Sequence, residues 1–187
     1  MTETELRPFP EPEKTDAYWD QVGAQMREQT KKRQQMKKAL KSVMAPVMRR
    51  EGFTGTCPKY RRLRPDRYDL FLFDFGRGYD CFTIQIGQCA PDDIGYFPKD
   101  KRAEWEKLVP PEKLNPEHLR LEQRARVQPG PGVQTTDFFL YVDAKTPVDY
   151  ERIAESVVPF TEKAIAGFDD FARFALVEKL DRNERRR

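Results

Sequence analysis

The sequence predicts an α+β fold, an antiparallel sheet of about five strands packed against N- and C-terminal helices. Three observations lead to it. Apolar residues recur at helical spacing through Met36, Leu40, Val43, Met44 and Val47. Phe71, Phe73 and Phe75, and then Phe82, Ile84 and Ile86, alternate with the period of a strand. Beyond Asp143 the helical spacing returns with Ile153, Val157, Phe160 and Ile165. A chain of 187 residues suits one domain with extensions.

Residues 1–14 are acidic and carry Pro8, Pro10 and Pro12, the composition of a mobile tail. Residues 15–187 then form a single domain that starts with an extended basic helical segment. Thr15 or Asp16 caps its first helix, and Tyr18, Val22 and Met26 recur at helical spacing. Arg27 to Gln35 has no apolar face of its own, so one long helix and two consecutive ones fit equally well. Pro46 lacks an N–H donor, which kinks the helix there or places Pro46 in its closing turn. Gly52 suits the position just past the end, with Phe53 folding back onto the helix.

Strand signals follow. Lys59 to Leu63 is short, and Pro65-Asp66 turns the chain into Arg67 to Phe75. There Phe71, Phe73 and Phe75 point one way and Tyr68, Leu70 and Leu72 the other, the pattern of an interior strand. Gly76-Arg77-Gly78 makes a turn into Cys81 to Gly87, giving a three-stranded meander. Ala90 to Glu117 is irregular, with a short helix around Arg102 to Leu108 that tucks Trp105 inward. Asn115-Pro116 resembles a cap followed by Pro at the first helical position. His118 to Val127 alternates as a strand, with Leu119, Leu121, Ala125 and Val127 inside. Gly130-Pro131-Gly132 is a loop and Thr136 to Val142 the last strand. Asp143 to Arg187 is helical, divided at Gly167 from a second stretch carrying Phe171, Phe174, Val177 and Leu180. Arg185 to Arg187 should fray.

The run from Lys37 to Ala90 resembles the bacterial family catalogued as domain of unknown function 4304. The helix ending through Pro46 to Gly52-Phe53, the strands around Tyr60-Arg61 and Leu70 to Phe75, and above all Phe82-Thr83-Ile84-Gln85-Ile86-Gly87 carry the likeness. The final strand and the helix from Pro147 to Phe168 are compatible with it, whereas residues 1–30 and much of 91–116 depart from the pattern. The resemblance implies an α+β domain without an established activity, some relatives being thought to neutralise toxins as immunity proteins.

Composition excludes several classes. Charged residues make up 35% of the chain and the hydrophobic set 38%, and thirteen Phe with seven Tyr supply a core, which argues against global disorder. No apolar run exceeds Phe138 to Val142, too short to span a membrane, and no secretory signal is visible. The expectation is a soluble cytoplasmic protein. Cys57, Cys81 and Cys89 are odd in number and lack a CxxC pair, so free thiols are expected, with Cys81 buried in a strand. His118 is the only histidine, too little for a metal site or an evident general base, and as a surface or capping residue it needs no special role. Asp92-Asp93 and Asp169-Asp170 read as solvated or capping carboxylates. Gly76-Arg77-Gly78 lacks the phosphate-loop pattern. No catalytic, cofactor-binding or metal-binding residue is assigned, and no cofactor is expected.

Charge is the sharpest feature. The net charge is +3, yet residues 1–26 sum to −4 and residues 27–67 to +11. Arg27, Lys31, Lys32, Lys37, Lys38 and Lys41 lie on neighbouring helical turns, and Arg61, Arg62 and Arg64 add charge from the following strand. This surface either docks an acidic partner or is the solvated side of an amphipathic helix. The leading expectation is a non-enzymatic intracellular interaction protein, with the resemblance pointing to a toxin-neutralising immunity protein. The alternatives are a nucleic-acid-associated protein using the same helix, and a hydrolase whose acidic site leaves no motif. An exposed Phe71/Phe73/Phe75 stripe would serve base stacking, and a buried one the core.

Overall fold

A computed structural model describes residues 15–76, 79–94, 110–127, 129 and 138–175. The chain begins with one continuous helix, α1 (Asp16–Arg50), not two. The Thr15 hydroxyl accepts the Tyr18 N–H and caps its start. Pro46 lies inside the helix, four residues before its end. Gly52, at φ +78, closes it: the Gly52 N–H donates to the Arg49 carbonyl at 3.0 Å and the Phe53 N–H to the Met48 carbonyl at 2.9 Å. A left-handed residue followed by these two bonds is a Schellman stop, and it buries the Phe53 ring beneath the helix.

Six strands form the sheet: β1 (Thr54–Thr56), β2 (Lys59–Leu63), β3 (Tyr68–Phe75), β4 (Cys81–Cys89), β5 (Arg124–Val127) and β6 (Phe139–Leu140). They run antiparallel in the order β1-β2-β3-β4-β5, and β6 also pairs with β4, at Cys81 and Phe82. Two helices follow, α2 (Pro147–Ser156) and α3 (Val158–Ala166), and helical backbone resumes at residues 171–175. The α+β architecture is as expected, with β1 added at the edge.

The helices cover one face of the sheet. Met36, Leu40, Met44 and Met48 of α1 meet Phe71, Phe73, Phe82, Ile84 and Ile86 of the sheet and Tyr150, Ala154 and Ala164 of the later helices. Rings pack edge to face within this core, Phe71 on Phe73 at 5.0 Å and Phe73 on Phe82 at 6.0 Å. The opposite face carries a smaller cluster of Leu70, Cys89, Leu114 and Leu119. It is roofed by residues 110–123, a strap of three 3-10 turns. Gly87 makes room for this strap, because a Cβ there would meet the Leu119 side chain at 2.6 Å and the Gln123 carbonyl at 3.2 Å. The burial of both faces of β3 follows its two-sided apolar pattern.

Two expectations are corrected. The strand read over His118 to Val127 begins only at Arg124. Asn115 caps a 3-10 turn, as its pairing with Pro116 indicated, and the strap then turns again at Leu121–Gln123, which buries Leu119 and leaves Leu121 exposed. The helix read from Asp143 begins at Pro147 and breaks at Val157, before the Gly167 boundary, because Pro159 has no N–H to continue the ladder. The amino-terminal tail, the helix around Trp105, Gly130 to Gly132, and Val177 and Leu180 lie outside the described residues.

Candidate interaction surface on the first helix

From Gln29 to Arg50, α1 carries eight Lys and Arg residues and no Asp or Glu. At 100° per residue these cations separate into two groups. Arg27, Lys31 and Lys38 fall on the side away from the Met36–Met48 stripe, Lys41 lies at the stripe's edge, and all four are exposed. Arg49 continues their line, five turns beyond Lys31, and also is exposed. The reading of the sequence missed Arg49, although its helical phase equals that of Lys31. No ion pair joins these five to a described acidic residue. From Arg27 to Arg49 the row spans about 33 Å at 1.5 Å per residue.

The other predicted cations are engaged within the fold. Lys32 bonds the Asp80 carboxylate at 2.9 Å and the Val142 carbonyl at 3.0 Å, and its hydrogen bond to Asp80 holds the ammonium pKa above the ordinary value. The Lys37 ammonium lies 5.2 Å from the Phe75 ring centroid. Arg62 bonds Asp69 at 2.8 Å and the Glu51 carbonyl at 3.0 Å, with its guanidinium over the Phe53 ring. Arg64 and Arg67 approach the same carboxylate at 3.6 Å. Arg61 pairs across the sheet with Thr54 and Leu70 and is half-buried. The nine residues therefore do not form one surface. The structure brings four of them together along α1 and commits Lys32, Lys37, Arg62 and Arg64 to positioning that helix and the sheet.

Between α1 and the start of α2 lies a shallow cleft of about 140 Å³, lined by Glu28, Lys31, Lys32, Gln35, Lys145, Pro147 and Tyr150. It adds Lys145 to the basic surface at one side of the row. His118 serves the strap: its Nδ1 accepts the Asn115 N–H at 3.2 Å, the capping role expected of it, and burial lowers its pKa. Among the described residues no group of three His, Cys, Asp or Glu side chains is placed to hold a metal ion, and no described helix is long and apolar enough to cross a membrane. The Phe71 and Phe73 rings are buried under the helices, so they offer bases no platform.

The three cysteines are free thiols, and Cys81 is buried in β4 as expected. Burial pushes the pKa of Cys57 and Cys89 up to about 12 and raises that of Cys81. At pH 8 Cys57 and Cys89 should therefore react with a disulfide reagent roughly a thousandfold more slowly than an unperturbed cysteine, since only the thiolate attacks. Denaturant should release three fast-reacting thiols. Burial also holds the Tyr60 and Tyr141 phenols at about 12. Each group keeps its proton in the fold at a pH where the unfolded chain has lost it. Stability is therefore full below about pH 9 and falls as pH rises towards 12. Urea midpoints measured from pH 7 to 11 check this, and a flat profile would contradict it.

No protein-family model, curated protein or solved structure matches the chain, so its function is argued from this surface.

Proposed function

We propose that the protein is a non-enzymatic interaction protein that docks an acidic protein partner along the outer face of α1. One observation carries the reading: an unbroken helix presents Arg27, Lys31, Lys38, Lys41 and Arg49 in one row, without ion-pair partners among the described residues. Like charges held in line on a rigid element repel one another, and an anionic surface relieves that repulsion while the field speeds encounter. The family resemblance adds the form of a toxin-neutralising immunity protein, whose partner would present carboxylates in a matching line.

A second reading has its own support. The row contains no exposed aromatic or aliphatic anchor of the kind that centres most protein interfaces, and lysine is depleted in such centres. A nucleic-acid backbone needs only cations, so the same row suits phosphates, read without regard to base sequence.

One variant separates the readings. Lys38→Gln, Lys41→Gln and Arg49→Gln together remove three exposed charges without touching the buried stripe. The melting temperature should hold, since glutamine is close to lysine in helix propensity. Pull-downs from the native cell with both chains should lose one acidic protein, chiefly through slower association. If the partner is DNA, the slope of log affinity against log salt should become shallower by about 2 to 3. Identical protein and nucleic-acid captures from both chains would overturn the two readings and leave a solvated helix face.

A further inference from the structure

The strap over the second face of the sheet is held in two unlike ways. Its far half is tied to Asp93, whose carboxylate takes the Arg120 guanidinium at 2.6 Å and whose carbonyl takes the Gln123 amide at 2.9 Å. Its near half presses Leu114 and Leu119 onto Leu70 and Cys89 and rests on Gly87. Among the described residues the one ion pair from this half to the sheet is Glu117 with Lys59, 3.9 Å apart and both exposed. A reciprocal cap shapes the turn instead. Asn115 Oδ1 accepts the Glu117 N–H at 3.0 Å, and His118 Nδ1 accepts the Asn115 N–H at 3.2 Å. Asn115 is 1% exposed, so water does not replace that acceptor while the strap is closed. An imidazole that accepts at Nδ1 is neutral and carries its proton on Nε2. A second proton enters at Nδ1, where it faces the Asn115 N–H and ends the bond.

We propose that protonation of His118 unlatches the Leu114–Leu119 half of the strap, which makes the strap an acid-operated cover over Leu70 and Cys89. The surrounding charges act in the same direction. Lys59 and Arg61 of β2 and Arg124 of β5 lie on the sheet face beneath the strap, since they stand opposite Leu72, Leu70 and Gly87. Asp74, bonded to Gln85, and Arg126 lie further along that face. The Cys89 thiol is the titratable group of β4 under the strap, and burial keeps it protonated throughout. Within the strap Glu117 adjoins the ring. Burial opposes the imidazolium most, Lys59 opposes it further, and Glu117 favours it. The closed strap therefore binds the proton less readily than the open one, where the solvated ring titrates at its ordinary value of about 6.5. Closure is complete above that pH and weakens as pH falls through it. His118 is the chain's only histidine, so no other imidazole contributes to the effect.

Labelling of the full chain with dithiodipyridine reads the opening, with each cysteine followed separately by peptide mass spectrometry. Dividing the Cys89 rate in the folded chain by its rate in the urea-unfolded chain at the same pH removes the thiolate dependence common to both. Between about pH 7.5 and pH 5 this ratio should rise at least about threefold. It should stay level for Cys57 and Cys81, which do not belong to the cluster under the strap. His118→Gln offers the acceptor of an ordinary capping box with no proton to gain, and should flatten the Cys89 profile. A level profile for Cys89 in the wild type would overturn the proposal. So would an equal rise at all three cysteines, which reports global loosening, or a Cys89 rise that survives in His118→Gln.

Discussion

Asp69→Ala should destabilise the fold by about 3–5 kcal/mol, because it strands buried cations. The Asp69 carboxylate is fully buried and accepts from Arg62 and from Gln88, each at 2.8 Å, with Arg64 and Arg67 at 3.6 Å. These partners reach further. Arg62 holds the Glu51 carbonyl at the end of α1, Gln88 holds the Phe168 carbonyl at 2.9 Å, and Arg67 lies 3.6 Å from Asp169. One carboxylate thus joins the end of α1, three strands and the segment after α3. Without it the Arg62 guanidinium, whose side chain is 14% exposed, keeps its charge and loses its counterion. Urea unfolding gives the loss directly. Arg62→Ala on the Asp69→Ala background should cost much less than on the wild type, since the interaction is already gone. A loss below about 1 kcal/mol for Asp69→Ala would show that solvent replaces the network.

Phe73→Ala should cost a similar amount, about 3–5 kcal/mol, through lost burial and the cavity left behind. The ring touches Tyr60, Phe71 and Phe82 edge to face in the layer between sheet and helices. The charged row on α1 lies on the far side of that helix, so any partner affinity should be unchanged once measured on folded protein. A stable Phe73→Ala protein that had lost nucleic-acid binding would instead require an exposed ring.

The fold was legible where local pattern and burial coincide. The Phe71–Phe75 and Phe82–Ile86 alternations became central strands, and Gly52-Phe53 became the stop of α1. β1 escaped notice because Thr54, Gly55 and Thr56 are all exposed and show no alternation. The strap was misread for a related reason: Leu119 and Leu121 alternate, but side-chain hydrogen bonds at Asn115, His118 and Gln123 set the backbone there. On the candidate surface, helical spacing placed Lys31 and Lys38 on one side correctly. It carried no information that Lys32 would meet Asp80 or that Arg62 would meet Asp69, because those pairings depend on tertiary neighbours.

The packing of α1 against α2 bears on how the chain is made. Within the buried core, the Thr161 hydroxyl meets the Met44 sulfur 117 residues away in sequence, and Tyr150 and Ala154 close over the same stripe. On a ribosome, α1 emerges long before these residues exist. Residues 51–146 must follow first, which at about 5–20 residues per second takes on the order of five to twenty seconds. The meander can form in that interval, since its strands are neighbours in sequence, but the methionine-rich side of α1 that α2 and α3 cover waits with part of its surface open. Contacts so distant in sequence also slow the final closure. The basic outer face then has a part to play before the fold is complete, because like charges along nascent helices keep neighbouring chains apart while the apolar side is exposed.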